Sequence, residues 1–588
     1  MRECHLENLP EQPSRCNLQG FNNGARFPRA PMGKHDVIVI GGGLAGASAA
    51  LEARARGADV AIVTKLHPAR SHSVAAMGGI NAALEEGDSW EGHAFDTVKG
   101  SDYLADQDAV EIVCRAAKET ILRMEHWGTP FSRDEHGKMA HRPFGGHGMP
   151  RAYFAGDRTG LALMQTSLEQ LFRAGITVYD EHMAVELAVH QDTFHGVVAL
   201  NVPTGEVVPI PAKAGVLCTG PAGRMYSKTT NAVTCTGDGL ALVLRAGGAL
   251  KDMEFVQFHP TTLHGPNVLI TEAARGDGGI MLNAKGERFM ERYAPKLLDL
   301  APRDIASRAI QTEVNEGRGF PGGYVHLDLT MMGEEKIRER LPEVWEFSEK
   351  FAGVNPAKES IPIEPGQHYI MGGVATDSQG ATTIRGLWAA GECACVSLHG
   401  SNRLGGNALL ECLVYGKITG GHAADYARKA PEPPPLSDPL TAAVKKVEGL
   451  RKAVGGENPQ SLKLEMGEAM TAGVGVFRDE AGMRNALTAV RQIRKRSGGV
   501  RVGDAGQRFN YALVEALELE NLVDLAEVIA YGALLRRESR GAHFRTDFPK
   551  RDDAGWLKHT LATRRGDEFE IAYEPVRITM FPPKERTY

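Results

Sequence analysis

The chain has 588 residues, too many for one ordinary hydrophobic core, so we expect two to four domains. Hydrophobic residues make up 42% and charged residues 24%, as in ordinary globular proteins, whereas the 68 glycines indicate many tight turns and close backbone approaches to a ligand. The formal net charge of −6 argues against a nucleic-acid partner, and no run approaches the ~18 apolar residues of a membrane span, so any membrane link should come through a partner.

The first segment, residues 1–34, is expected to be a loosely ordered extension. It has no apolar signal core and mixes Glu3, Glu7 and Glu11 with its arginines, which fits neither a secretory nor a clean transit peptide. Met32 is a candidate for the natural start.

A strand–helix–strand unit is predicted next. Residues 36–40 are apolar and β-branched, as in a buried parallel strand, and a glycine-rich turn leads from them into an alanine-rich helix that runs to Arg56. Gly57 is a natural helix stop, and residues 58–64 predict a second buried strand. Residues 215–219 and 386–390 predict further strands of the same sheet.

The turn itself carries the spacing G-x-G-x-x-G at Gly41, Gly43 and Gly46. The first glycine allows the tight turn, the second lets the backbone approach a pyrophosphate, and the third packs the helix on the strand. The helix N-terminus then faces the phosphate charge. This context favours dinucleotide binding over a turn that is merely rich in glycine.

The choice between NAD and FAD depends on two further features. The second strand ends in Thr64 and Lys65, without the acidic residue that would hold a ribose diol. Residues 386–392 are similar to the second FAD motif of large flavoproteins, in which a strand delivers a carboxylate, here Glu392, to the ribityl chain. The sequence therefore favours FAD.

These features predict an α/β fold with a discontinuous, Rossmann-like FAD-binding domain at residues 35–250 and 366–430. An inserted α+β capping domain is expected at 251–365, where strands and helices do not alternate regularly. The prolines of 431–439 predict a stiff linker, 440–541 a helical bundle, and 542–588 a polar tail over the surface.

The eight cysteines are scattered and include no C-x-x-C pair. A disulfide framework is not expected in so long a chain, and iron–sulfur or zinc ligation is poorly supported, so we predict no metal site and mostly incidental thiols. If electrons leave this protein one at a time, their next carrier is expected on another chain.

Residues 70–76, followed by Gly78 and Gly79, resemble the flavin-attachment segment of the succinate dehydrogenase/fumarate reductase flavoprotein family. A lone histidine would ordinarily be a polar or core residue. The resemblance extends over nearly the whole chain from about residue 36, in blocks that keep one order. The blocks are 96–102, 142–146, 236–239, 257–260, 271–272 with 275–276, 287–290, 368–369 with 371–373, 399–407, 538–543, 582–584 and 586–588.

The resemblance implies covalent FAD, attached at its 8α-methyl to His72, and interconversion of succinate and fumarate by hydride transfer. The cofactor-binding residues that we predict from the fingerprint and the resemblance are Gly41, Gly42, Gly43, Leu44, Ala45, Gly46, Thr64, Lys65, Ser71, His72, Ser73, Gly78, Gly79, Asp238, Glu392, Ala408 and Leu409.

The resemblance also implies a dicarboxylate site. One carboxylate would be held by His259 and Thr271, the other by His368 and Arg403, and Phe144 would pack against the substrate and help twist a carboxylate out of plane. An arginine, Arg303, would exchange a proton with the substrate, and Glu272 and Arg275 would relay that proton to solvent. A guanidinium normally stays protonated, so this acid–base role needs close charges that poise it.

The partners implied by the resemblance are an iron–sulfur subunit and, through it, membrane anchor subunits that lead to quinone. The expected location is peripheral, on the cytoplasmic face of the inner membrane in a bacterium or archaeon, or on the matrix face in a mitochondrion. Two rival functions remain open, an L-aspartate oxidase with non-covalent FAD and a non-catalytic FAD-binding scaffold. Met77 stands where dehydrogenases tend to have Gln and fumarate reductases Glu, so it does not reveal the physiological direction.

Overall fold

The computed structural model describes residues 33–453 and 455–587, so the predicted extension lies almost wholly outside the described residues. A seven-stranded sheet forms the centre of the fold. Its strands, in spatial order, are Thr177–Tyr179, Val60–Val63, His35–Ile40, Val207–Leu217, Thr193–Asn201 and His182–His190, with Leu387–Ala389 also paired to Val207–Leu217.

The pairing is parallel from Thr177–Tyr179 to the second half of Val207–Leu217, and Leu387–Ala389 joins there in parallel. The first half of Val207–Leu217 pairs antiparallel with the hairpin before it. The four strands predicted from apolar runs are therefore confirmed as members of one sheet.

Helices cover one face of this sheet and share its apolar core. They are Leu44–Ala55, Gln107–His126, Thr159–Arg173 and Asn407–Ala427. The first and last are in backbone contact, since a Cβ on Gly416 or Gly420 would lie within 2.5 Å of the carbonyl oxygens of Ala45 and Ala49. This contact fixes the start of helix Asn407–Ala427 beside the glycine-rich turn.

A second sheet, four-stranded and antiparallel, lies in the predicted capping region and has its own core. Its strands, in spatial order, are Val256–Leu263, Ile361–Ile370, Val325–Asp328 and Ile280–Leu282. The helices beside it are Ala273–Gly276, Met290–Tyr293, Arg303–Asn315, Glu334–Arg340 and Pro342–Phe347. The strand Ile361–Ile370 runs past residue 365, where the sequence placed the domain boundary.

Four helices form the helical region: Ser437–Arg451, Pro459–Gly473, Glu480–Ser497 and Tyr511–Leu535. The proline-rich linker ends earlier than predicted. Pro439 lies in the first turn of Ser437–Arg451, where the missing amide proton has no intrahelical partner to lose.

The prediction that the tail lies over the surface was wrong in part. Strands Lys558–Arg565 and Glu568–Pro575 form a hairpin that joins a five-stranded sheet with Leu250–Lys251, Gly373–Ala375 and Ala394–Cys395. His543, Arg545 and His559 are at most 1% exposed. Polarity misled the prediction, because these charged side chains are buried with partners, as when His559 pairs with Asp106 and Asp252.

The remaining helices are Trp90–Gly100, Asp238–Arg245 and Asp553–Trp556, and a small sheet joins Ile80–Asn81, Ala152–Tyr153 and His141–Arg142. Short turns of helix include Pro68–Arg70 and His72–Ala75. Within residues 33–453 and 455–587, every helix is too short or too polar to cross a membrane.

Candidate active site

A cavity of about 540 Å³ extends between the glycine-rich turn and the capping sheet. Of the predicted site residues, all but Gly46 and Arg275 line it. The volume falls within the roughly 300–1,000 Å³ usual for cofactor and ligand sites.

At the nucleotide end, the backbone geometry of the turn requires glycine. Gly41 has φ +116°, and a Cβ there would lie 2.1 Å from the carbonyl oxygen of Cys218. A Cβ on Gly46 would lie 2.0 Å from the carbonyl oxygen of Gly41, so this glycine sets the helix against the turn. Gly43 offers helix Leu44–Ala55 no side-chain cap, the amide of Leu44 donates to Ser73 Oγ at 3.1 Å, and the helix N-terminus lies at the cavity.

The residues at this end fit FAD. The hydroxyls of Ser71 and Thr219 line the cavity and are buried without a hydrogen-bond partner in the described chain. A buried polar atom left unpaired costs about 1–3 kcal/mol, so a polar ligand would relieve both. Together with the N-terminus of helix Leu44–Ala55, these hydroxyls supply donors suited to a pyrophosphate and a ribityl chain.

Three ionisable residues along the cavity, Glu392, Lys65 and Asp238, differ in the partners that they have. Burial raises the pKa of the Glu392 carboxyl to about 8, and its Oε1 accepts a hydrogen bond from the amide of Ile370 at 3.2 Å. Lys65 instead donates to Asp238 Oδ2 and Glu518 Oε1, both at 2.7 Å. Burial alone would lower the pKa of Lys65, but these carboxylates outweigh it and raise the pKa. Lys65 therefore stays charged and paired with Asp238, and its second ion pair, with Glu518, attaches the helical region to the edge of the cavity.

His72 lies in the short helical turn His72–Ala75 on the cavity wall. Its Nδ1 accepts a hydrogen bond from the amide of Ala232 at 3.4 Å, which orients the ring. Burial lowers the pKa of His72 to about 4, so the imidazole is neutral at neutral pH. A neutral imidazole keeps a lone pair with which it can act as a nucleophile.

The capping sheet brings two histidines together on adjacent strands. His259 and His368 have ring centroids 4.9 Å apart, and the hydroxyl of Thr230 lies 2.8 Å from Nδ1 of His368. Burial, followed by the positive charge of nearby arginines, lowers the pKa of both rings well below the usual value. Both are therefore neutral donors or acceptors. Thr271, fully buried, lines the same part of the cavity.

Arg403 is a buried cation that lacks a carboxylate partner within salt-bridge distance among the described residues. Its guanidinium lies 4.2 Å over the ring of Tyr369, and its Nε is buried without a hydrogen-bond partner. Burial, with repulsion from Arg303, lowers the pKa of Arg403 to about 10, so it stays charged at neutral pH. A buried charge needs a counter-ion, which an anionic ligand would supply.

Arg303 begins helix Arg303–Asn315 and turns its guanidinium to the cavity. Its Nε donates to Glu272 Oε2 at 2.8 Å, and its Nη1 donates to Gln257 Oε1 at 3.1 Å. On the far side of Glu272, Arg275 Nη2 lies 3.7 Å from Oε1. The side chains predicted as a relay therefore form a continuous row, with Arg275 behind the cavity wall.

Phe144 closes the cavity between two glycines. A Cβ on Gly78 would lie 2.8 Å from the edge of its ring, and one on Gly405 would lie 3.0 Å from it. The glycines let the ring approach the space between Thr271 and Glu272 closely. Replacing either glycine would push the ring into the cavity or out of it.

Comparisons with known proteins identify the family to which the chain belongs. The family model described as an FAD binding domain matches residues 36–409, and the model described as fumarate reductase flavoprotein C-term matches residues 463–588. The chain is 44% identical to a succinate dehydrogenase flavoprotein subunit of Coxiella burnetii, with 94% of this chain and 99% of that protein covered. It is 43% identical to a fumarate reductase flavoprotein subunit of Mycobacterium tuberculosis at the same coverage.

The chain belongs to the succinate dehydrogenase/fumarate reductase flavoprotein family. Among solved structures, the E. coli quinol fumarate reductase chain FrdA superposes with a TM-score of 0.92 at 38% identity, covering 94% of this chain and 99% of that one. The resemblance drawn from the sequence is thereby confirmed, and so is the fold class, an FAD-binding α/β fold with a capping domain and a C-terminal helical domain.

The fold alone does not identify the substrate within this flavoprotein family and its structural neighbours. An adenylylsulfate reductase from Archaeoglobus fulgidus, only 19% identical, still superposes with a TM-score of 0.75. The residues around the cavity therefore determine which substrate is bound.

Several site residues were missed because their roles are not visible in sequence. Three of them, Gln257, Asn402 and Tyr369, lie in segments that resemble the family, but the resemblance did not give these side chains a role. Glu518 lies in a long helix among similar carboxylates, and only the fold brings it to Lys65. Thr230 has no flanking motif that would have singled it out.

Proposed function

We propose that this chain interconverts succinate and fumarate with covalently bound FAD. The observation that carries the proposal is the single cavity that joins the glycine-rich turn and His72 to two arginines, two histidines and a threonine. A scaffold that only bound FAD would have no use for unpaired buried cations such as Arg403.

The charges suit a doubly negative substrate. Arg303 and Arg403 line this end of the cavity, and Arg275 lies behind its wall. Among the described residues, Glu272 is the one carboxylate within salt-bridge distance of any of the three, beside Arg303 and Arg275, which leaves a surplus of two positive charges. A dicarboxylate would neutralise that surplus. Arg403 would take one carboxylate through its planar fork with His368, and His259 and Thr271 would take the other as neutral partners.

Bound FAD would supply the site that accepts or donates a hydride. Arg303 would give a proton to the substrate carbon in reduction and take one in oxidation. In oxidation, Glu272 would take the proton on from Arg303, and Arg275 would release a proton to solvent before it accepts the one from Glu272. In reduction the same row of three side chains would work in the opposite direction. Phe144 would exclude water and force one carboxylate to twist.

A covalent bond between His72 and the 8α carbon of FAD is part of the proposal. It is supported by the neutral state of the ring and by its place on the cavity wall. Such a bond would distinguish this chain from L-aspartate oxidase, which holds FAD non-covalently. A denaturing gel should retain flavin fluorescence on the wild-type polypeptide and lose it in His72→Ser.

The chain would pass electrons to an iron–sulfur subunit, which would bind membrane anchors. Two solved relatives are described as quinol-fumarate reductase with menaquinol molecules and as a Mycobacterium smegmatis Sdh1 complex with UQ1. By analogy this chain would lie peripherally at the cytoplasmic face of the inner membrane, or at the matrix face in a mitochondrion.

The test is dye-linked succinate oxidation beside fumarate reduction, measured on the complex as it purifies. Activity in either direction, with malonate competing, would support the proposal, and the ratio would reveal the favoured direction. Flavin that is bound without turnover of either dicarboxylate would overturn it. Turnover of L-aspartate, with flavin lost on denaturation, would favour the oxidase instead.

A further inference from the structure

The segment 576–587, here named the tail strap, runs across the FAD-binding domain and is held there by Asp106, Asp108 and above all Gln107. Oε1 of Gln107 accepts hydrogen bonds from the amides of Thr579, Met580 and Phe581 at 3.0, 2.7 and 2.8 Å. Nε2 of Gln107 donates to the carbonyl oxygen of Phe581 at 2.7 Å. Gln107 is fully buried, so the path of the strap is fixed at this point.

Beyond that point the strap places a guanidinium beside helix Arg303–Asn315. Arg586 forms an ion pair with Asp304, and its Nη1 donates to the carbonyl oxygen of Gly100 at 3.3 Å. The Asp304 side chain is fully buried, and that of Arg586 is 9% exposed. Asp304 follows Arg303 directly in the first turn of helix Arg303–Asn315.

A closed ring of hydrogen bonds leads from Asp304 back to the guanidinium of Arg303. Asn402 Nδ2 donates to Asp304 Oδ1 at 3.3 Å and to Gly100 O at 3.1 Å. Gln257 Nε2 donates to Asn402 Oδ1 at 2.9 Å, and Gln257 Oε1 accepts from Arg303 Nη1 at 3.1 Å. We name Arg303, Asp304, Asn402 and Gln257 the bracing ring.

The bracing ring also contacts Arg403, the arginine expected to bind a substrate carboxylate. Gln257 Nε2 donates to the carbonyl oxygen of Arg403 at 2.8 Å, and Asn402 directly precedes Arg403. Gln257 is fully buried, and Asn402 and Asp304 are less than 5% exposed. Asp304 also pairs within its own helix, with Arg308 Nη2 at 3.0 Å, and Arg308 Nη1 donates to the carbonyl oxygen of Gly541 at 2.8 Å. Arg586 is the partner of Asp304 that the strap supplies.

We propose that Arg586 is a positioning residue for proton transfer by Arg303. By pairing with Asp304 it fixes the helix turn that carries Arg303, and through Asn402 and Gln257 it fixes the guanidinium at the other end of the ring. This inference rests on the proposed function. Misplacement of a reacting group by about 1 Å can cost on the order of 100-fold in rate, so a remote contact of this kind can control turnover.

A purely structural strap makes a different prediction. If Arg586 only anchored the tail to the rest of the protein, its loss would lower thermal stability or flavin content, and substrate affinity and turnover would decrease with them. If it positions Arg303, turnover falls while the flavin and the dicarboxylate remain bound. The proton-transfer step then becomes more rate-limiting.

The experiment compares Arg586→Gln and Arg586→Lys in the intact complex with Lys584→Gln, which removes a charge from an exposed site of the same strap. Flavin content, thermal midpoint, malonate dissociation constant, kcat, KM and the solvent deuterium isotope effect on kcat are measured. Arg586→Gln should lower kcat about tenfold, keep KM and malonate binding within threefold, and enlarge the isotope effect. Arg586→Lys should recover part of kcat, and Lys584→Gln should match the wild type.

A kcat within twofold of wild type in Arg586→Gln would overturn the assignment, as would a loss of kcat in proportion to flavin content. Should Arg586→Gln fold poorly, Asn402→Ala opens the same ring without touching the strap. The double variant that combines Asn402→Ala with Arg586→Lys should then lose no more kcat than the worse of the two single variants. Additive losses of kcat would contradict a shared ring. A wild type that cannot turn over succinate or fumarate would instead overturn the proposed function itself.

Discussion

The Nε of Arg303 lies 2.8 Å from Oε2 of Glu272, and both side chains are more than 90% buried. Burial alone would raise the pKa of Glu272, but Arg303 and Arg275 outweigh it and hold that pKa well below the usual value. The carboxylate is therefore ionised throughout the neutral range, so it can accept a proton from one guanidinium while the other remains charged.

Arg303→Gln tests the proton-transfer role directly. The amide keeps much of the volume and can still donate a hydrogen bond to Glu272, but it cannot exchange a proton with substrate carbon. We expect unchanged flavin content and a kcat for succinate oxidation lowered by about 10²–10⁴, the usual contribution of a general acid or base. Dye-linked turnover per bound flavin is the measurement.

Arg292→Gln is the matched control, since Arg292 is a half-exposed arginine of the same region that pairs with Glu287 and Glu313. It should keep wild-type turnover. If Arg303→Gln retained activity within a few-fold of wild type, Arg303 would have to be removed from the mechanism.

Gly46→Ala tests the third glycine of the turn. The added methyl would meet the carbonyl oxygen of Gly41 at 2.0 Å, so the helix must move away from the turn. We expect most bound flavin to be lost, as measured by absorbance relative to protein. Gly449→Ala is the control, because that helical glycine has open space around it and alanine is the better helix former by about 1 kcal/mol. Full flavin content in Gly46→Ala would show that FAD still binds when the helix is displaced from the turn.

The sequence predicted those parts of the fold that depend on local pattern. The strand before Gly41, the helix after it and the break at Gly57 follow from apolar runs and glycine positions within about thirty residues. His72 and Arg403 were located only through resemblance, because a single histidine or arginine has no local signal of its own.

Contacts between distant segments could not be predicted in this way. Lys65 and Glu518 are separated by 453 residues, and no periodicity links them. The polar tail was expected over the surface because its composition is charged, yet His559 is buried between two carboxylates. Burial of charge depends on partners that only the folded chain supplies.

The buried pair of carboxylates around His559 makes stability depend on pH. Burial would lower the pKa of His559, but Asp252 and Asp106 outweigh it and raise the pKa to about 9. The imidazolium therefore stabilises the fold fully below the unfolded pKa of about 6.5, and this contribution is lost as pH rises through about 9. Other charged or polar groups packed nearby are Lys251, Arg577 and Cys395.

The thermal midpoint of the wild type should thus decrease as the pH is raised from 7 to 9.5. His559→Gln should have a lower midpoint at pH 7 and a smaller decrease over the same pH range. The contribution is on the order of 3 kcal/mol at most, from a 1.36 kcal/mol change per pKa unit. The exposed His136 provides the control variant His136→Gln, whose profile should follow the wild type. Parallel profiles for wild type and His559→Gln would show that His559 is neutral in the fold.

Arg403→Lys tests whether the buried cation recognises a carboxylate by shape as well as charge. Lysine keeps the positive charge but loses the planar fork and the stacking over Tyr369, at 4.2 Å in the wild type. We expect KM for succinate and the malonate dissociation constant to rise about tenfold, roughly 1.4 kcal/mol, while flavin content is unchanged. Arg385→Lys, at an exposed arginine outside the cavity, should leave both constants unaltered. If Arg403→Lys bound malonate as the wild type does, charge alone would suffice at this position and the carboxylate would have to be oriented by His368, whose ring Thr230 holds at 2.8 Å.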